Sequence, residues 1–240
     1  MALQHKTFVT GSLGNIIFYE FRGKPCARAR PTKVRQTKAT KAVAGLFGKA
    51  ARYSKILRRG LKETLPFPKD KPMMYRLNKV LLDWLRQSMK NKTELNPTMK
   101  YLSVFEFNEE SELIPKFKKK PVVDFTKRGK ITLTIPALTP NPDLSAPTYT
   151  KSIGWTITAV SCNTKSQRDI PKTHPTYLEM EYSNSLVETQ QIELPFTISS
   201  GDIVLVAISL RYRATRKGSV VEITDKGWLP AGVVGAMYKE

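Results

Sequence analysis

The chain has only 2 cysteines and 2 histidines in 240 residues. Cys26, Cys162, His5 and His174 are too few and too scattered for a zinc or other histidine metal site. Two distant cysteines are not a disulfide framework, and a chain of this length can bury a core without covalent staples. Both are expected unpaired and reduced. No apolar run of about 18 residues occurs, as a membrane-spanning helix would need. The opening MALQHKTFVTGSLGNIIFYE lacks the basic start, long apolar stretch and small-residue cleavage site of a secretory leader, so a cytoplasmic protein, or one inside an assembled particle, is expected. GSLGN (Gly11 to Asn15) has neither the spacing nor the lysine of a phosphate-binding loop, and its glycines fit a turn. Glu109, Glu110 and Glu112 read as a solvated acidic loop rather than a cation site. Nothing in the sequence groups a nucleophile with a base. The expectation is a protein that is not an enzyme and uses no metal or cofactor.

Acidic residues are scarce as well, and their scarcity is local. Between Phe21 and Lys62 there are 14 Lys and Arg and no Asp or Glu. Even placement of the acids would put about three or four in such a stretch, so their absence points to a continuous positive surface. Residues 1–100 carry 23 basic residues against 5 acidic, and residues 101–240 carry 17 against 15, so nearly all of the net charge of +20 lies in the first part. A charge of this size exceeds what solubility requires and implies an anionic partner. The candidate contacts are Arg22, Lys24, Arg28, Arg30, Lys33, Arg35, Lys38, Lys41, Lys49, Arg52, Lys55, Arg59 and Lys62. They would meet nucleic acid or another polyanion mainly through phosphates.

The periodicity changes where the charge does. IIFYEF (Ile16 to Phe21), a turn at Arg22-Gly23-Lys24 and PCARAR (Pro25 to Arg30) predict a β-hairpin, with Cys26, Arg28 and Arg30 on one face and Ala27 and Ala29 on the other. PTKVRQTKAT reads as a basic connector. From about Thr40 to Leu65 an apolar stripe of Val43, Phe47, Ala50, Leu57 and Leu61, widened by Leu46 and Tyr53, predicts an amphipathic helix. Lys41, Arg52, Lys55, Arg59 and Lys62 fall opposite. Alanines in the stripe, and interruptions at Gly45 and Gly48, leave too little apolar area for a membrane partner. Asp70 and Pro72 mark the start of a second helix running to about Lys90, whose face of Met73, Leu77, Val80, Leu81, Trp84, Leu85 and Met89 is a packing face.

After Asn96-Pro97 the chain becomes short β-branched and aromatic runs separated by turn residues, predicting a boundary between residues 1–97 and 98–240. Strands are expected at 101–107, 130–135, 154–162, 177–182, 191–198, 203–214, 219–224 and 233–238. The fold class is therefore α+β: a basic hairpin and two helices, then an all-β sandwich of immunoglobulin-like general type, with a jelly roll as the alternative. The Pro-rich segment Thr134 to Thr148 is expected to be a contact loop outside the core.

The arrangement GSLGNIIFYEFRGKPCARARPTKVRQTKAT (Gly11 to Thr40), followed by a basic helix, resembles an uncharacterised family of Bacteroidota proteins that open with a Gly-rich hairpin and close with a β domain. GDIVLVAIS (Gly201 to Ser209) is similar to that family's late Gly-Asp strand. The resemblance implies a two-part architecture and a bacterial origin and carries no activity with it. Two functions fit these features. One is a nucleic-acid or polyanion binder; Tyr19, Phe21, Phe47 and Tyr53 suit either its core or its stacking platforms. The other is a structural subunit, homo-oligomeric or part of a particle, filament or phage-like structure, with a β body and a basic arm.

Overall fold

The hairpin predicted at Ile16 to Arg30 is present and belongs to a larger sheet. In the computed structural model, which describes residues 2–5, 8–31, 37–66, 72–90, 99–127, 129–166, 168–216 and 218–240, the chain divides into two compact units, Met1–Ala44 and Gly45–Glu240. The boundary predicted near Asn96-Pro97, the cap predicted at Asp70 and the candidates Lys33 and Arg35 lie outside the described residues.

The first unit is an antiparallel meander of β1 (Ala2–His5), β2 (Phe8–Leu13), β3 (Ile16–Phe21) and β4 (Lys24–Ala29), in that spatial order. The sequence reading missed β1 and β2, whose short stretches do not alternate. β3 and β4 are joined by a two-residue turn, Arg22-Gly23, and both residues have positive φ, 53° and 77°. That geometry matches the right-handed twist of the flanking strands, which is why a glycine stands at the second position. Directly opposed residues share a face, so Ile17, Tyr19 and Phe21 stand with Arg28, Cys26 and Lys24 on one side, and Ile16 and Phe18 with Ala29 and Ala27 on the other. None of the described side chains in these four strands is buried.

The second unit holds most of α1 (Lys38–Gly60), α2 (Met73–Lys90), the one-turn α3 (Met99–Leu102) and α4 (Pro140–Asp143), and eight strands. Three of them, β5 (Val122–Asp124), β6 (Lys130–Ile135) and β9 (Gln190–Pro195), form one antiparallel sheet in the order β5-β6-β9. The other sheet is centred on β10 (Asp202–Arg216), which pairs along one edge with β7 (Thr150–Asn163), itself paired to β8 (Lys172–Glu181). Its other edge is shared between β12 (Ala231–Tyr238), against Ile203–Ser209, and β11 (Ser219–Glu222), against Arg213–Arg216. The unit is thus mixed α+β with two antiparallel sheets.

β10 explains the layering. Val204, Val206 and Ile208 join a core with Ile131, Leu133 and Leu194 of the other sheet and Trp155 and Ile157 of β7. The alternate residues Ile203, Leu205 and Ala207 join a second core with Leu57 of α1, Leu61 just past its end, Leu77 and Leu81 of α2, and Leu102 of α3. A strand covered on both faces must be apolar without interruption, and IVLVAI is. Trp84 lies in this second core, edge-on to Tyr238 at 5.2 Å between ring centres, as its predicted packing role requires.

Three sequence expectations fail. The strand expected at 101–107 is instead α3 followed by a turn and an extended run, in which Phe107 N donates to Ala231 O at 2.8 Å and Val233 N to Phe105 O at 2.8 Å. Leu102, Phe105 and Phe107 are the buried residues, a spacing that period-two alternation cannot produce. The Pro-rich segment is not outside the core: it folds α4 and buries Leu138, Pro140 and Leu144. The stripe of α1 is buried only from Ala50 onward, and the helix ends at Gly60 rather than near Leu65; Val43 and Phe47 are 50 % and 52 % exposed.

Gly60 lets the end of α1 approach the sheet closely. A Cβ there would lie 2.4 Å from Val160 Cγ2 and 3.0 Å from Pro171 Cβ, whereas one at Gly48 would meet nothing within 4 Å. Gly60→Ala should therefore lower stability by about 1–3 kcal/mol through overpacking. Gly48→Ala, on an open helical surface, should raise it by up to about 1 kcal/mol. Urea unfolding of both variants reads the two signs.

Candidate nucleic-acid interface

Ten of the eleven described candidate cations, all but Arg52, are exposed. In the first unit, pleating places Lys24 and Arg28 beside Phe21 and Tyr19 on one face of the sheet. The Arg28 guanidinium lies 5.7 Å from the centre of the Tyr19 ring, and that of Arg22 lies 5.3 Å from the Phe21 ring. Both rings are accessible, 39 % and 58 % exposed. Cation over ring is favourable at this range and aligns planar donors with planar π faces. Arg30 is exposed just past β4, and Lys38 and Lys41 are exposed in the first turns of α1, which Thr37 caps by accepting from Thr40 N through Oγ1 at 3.1 Å.

Farther along α1 the second unit contributes Lys49 and Lys55, and just past the helix Lys62, all exposed. Two of their neighbours have other work. Arg52 Nε donates to Asp169 Oδ1 at 2.5 Å and Nη2 to Ser166 O at 3.0 Å; Arg59 Nη1 donates to Asp169 O at 3.1 Å. They tie the loop after β7 to the helix. The Arg52 hydrogen bond holds the Asp169 carboxyl below the usual carboxylate range and raises the arginine in return. Tyr53 Oη donates to Thr164 O at 3.3 Å, from within the core. The four aromatics with two possible roles are thereby sorted: Tyr53 is core, and Tyr19, Phe21 and Phe47 are exposed.

Sequence reasoning passed over a second basic surface. A groove of about 680 Å³ is lined by Arg76, Lys79, Val80, Asp83, Arg86 and Gln87 of α2 with Tyr101 and Phe105. Arg76 is committed to structure there, donating through Nη1 to Glu106 O at 2.9 Å and pairing with Glu109 at 3.1 Å. The signal was the set of cations on α2 away from its apolar stripe.

The acidic loop is engaged in ion pairs, Glu109 with Arg76 and Glu110 with Lys226. Cys26 and Cys162 are free thiols; burial pushes that of Cys162 up to about 12, so it is no nucleophile at neutral pH. Among the described residues no three metal-ligating side chains gather, and no helix is long and apolar enough to cross a membrane. Compared with protein-family models, curated proteins and solved structures, the chain matches none.

Proposed function

We propose that the protein binds nucleic acid through its basic N-terminal region, without catalysis and without a cofactor, by contacts made mainly to phosphates. The observation that carries this reading is the exposure of ten described candidate cations within a stretch of sequence that has no acidic residue. Exposed like charges repel one another and contribute little to folding, so their concentration is accounted for by an anionic partner. The purified, nuclease-treated chain should bind a labelled oligonucleotide at 50 mM salt in a filter or anisotropy assay. No binding at that salt would overturn the proposal.

A second function, compatible with the first, is that of a structural subunit in a larger assembly inside the cell or a particle. It is favoured by the first sheet, whose described side chains are all at least partly open to solvent, with Leu13 and Ile16 66 % and 45 % exposed. A small sheet needs a packed face for independent stability, and a neighbouring subunit can provide one. The eight-strand body, with its two sheets sharing a core, fits a sandwich, of immunoglobulin-like type or, with the same strand number, a jelly roll, and the likeness of Gly11 to Thr40 to the Bacteroidota family fits a bacterial protein of this two-part design. Sedimentation after nuclease treatment should show a species larger than one chain; a monomer at all concentrations would remove this function.

A further inference from the structure

We infer that the Tyr19–Phe21 face of the first sheet is a stacking platform for a single-stranded nucleic acid. The inference rests on the nucleic-acid function proposed above and names its substrate class. Tyr19 and Phe21 are two residues apart on β3, so they stand on the same face about 7 Å apart along the strand, close to the length of one extended nucleotide. Successive bases can then stack on successive rings. Beside the rings, on the neighbouring strand, lie Cys26 opposite Tyr19 and Lys24 opposite Phe21, with Arg28 one pair further along. This gives two rings flanked by cations, the composition that holds a single strand by its base faces and its phosphates together.

The opposite face is chemically different. Ile16, Phe18, Ala27 and Ala29 leave Glu20 as the one charged residue among the β3 and β4 positions there. Charge complementarity thus assigns a polyanion to the Tyr19 face alone. Each ring is already attended by a guanidinium, Arg28 at 5.7 Å and Arg22 at 5.3 Å. A guanidinium is planar and weakly hydrated, so it can stack on an incoming base or turn to a phosphate without a large desolvation cost. A duplex cannot use the platform in this way, because its base faces are already stacked on one another. It presents only phosphates and groove edges to a flat sheet.

The test uses the full chain, nuclease-treated, with labelled oligo(dT), oligo(U) and a mixed-sequence duplex of equal length. Single strands should bind more tightly than the duplex, and the two single-strand arms separate DNA from RNA; preference for a single strand of either sugar supports the inference. Phe21→Leu and Tyr19→Leu keep apolar bulk and strand propensity but remove the π face. Each should weaken single-strand binding by about 5- to 150-fold, the loss of one base stack, with the salt slope and duplex binding unchanged. Tyr19→Phe should bind as the parent does. Phe21→Trp should also bind and report the base by quenching of its fluorescence. Failure to bind either form at 50 mM salt would remove the nucleic-acid function itself. Equal binding of duplex and single strand, or leucine variants that bind single strands as the parent does, would leave that function standing and overturn this inference.

Discussion

Leu57→Ala should destabilise the protein by about 2–5 kcal/mol, whereas Phe47→Ala should change stability by no more than about 0.5 kcal/mol. The two positions occupy one apolar stripe of α1, and on sequence alone both belong to a core. Leu57 is fully buried between the helices and the five-stranded sheet, where truncation removes apolar contacts and leaves a cavity that rigid neighbours such as Ile203 and Leu205 cannot fill. Phe47, two to three turns earlier, is 52 % exposed, so its loss opens no cavity. Alanine is also the better helix former, which offsets part of the apolar area lost. Denaturant titration of the two variants measures the contrast. A comparable loss at Phe47 would mean that this end of the stripe is covered when the protein is in solution.

This contrast marks where sequence stops being informative. Periodicity identifies a face, but the length of the surface it lands on is a property of the rest of the fold. The same limit applies to β10: its unbroken run IVLVAI announces a strand buried on both sides, yet nothing local says that helices cover one side and a second sheet the other. The segment 101–107 misled for the opposite reason. YLSVFEF has the composition of a strand, and the one-turn helix and turn within it are imposed by where Leu102, Phe105 and Phe107 must pack. Strands β1 and β2 were illegible because ALQH and FVTGSL are short and carry no alternation of apolar and polar residues. The cations were legible as a group and not individually. Arg52 and Arg59 look like Lys55 and Lys62 in sequence, and Asp169, which engages them, is more than a hundred residues away.

Because of that engagement, the cations of α1 and of the turn after it divide into two sets whose substitution should give opposite results. Affinity of the parent protein for nucleic acid should fall by roughly a thousand- to a hundred-thousand-fold between 50 and 200 mM salt if about six to ten phosphates are contacted, since each contact releases condensed counterions. Replacing Lys49, Lys55 and Lys62 together by Gln should make the salt slope shallower by about three units, one per lost phosphate contact. The melting temperature should hardly move, because exposed charges contribute little and the mutual repulsion is relieved. Arg52→Gln should do the reverse: it should lower the melting temperature by releasing Asp169 and Ser166, and leave the slope near that of the parent. The Asp169 carboxyl, held below its ordinary value by Arg52, contributes stability that is present above the unfolded carboxylate value of about 3.9 and is lost as pH falls through the depressed folded value. Arg52→Gln should therefore also remove part of the acid sensitivity of unfolding, and the triple lysine variant should not. A triple variant that unfolds, or one that binds with the slope of the parent, would mean that these lysines serve the fold rather than the partner.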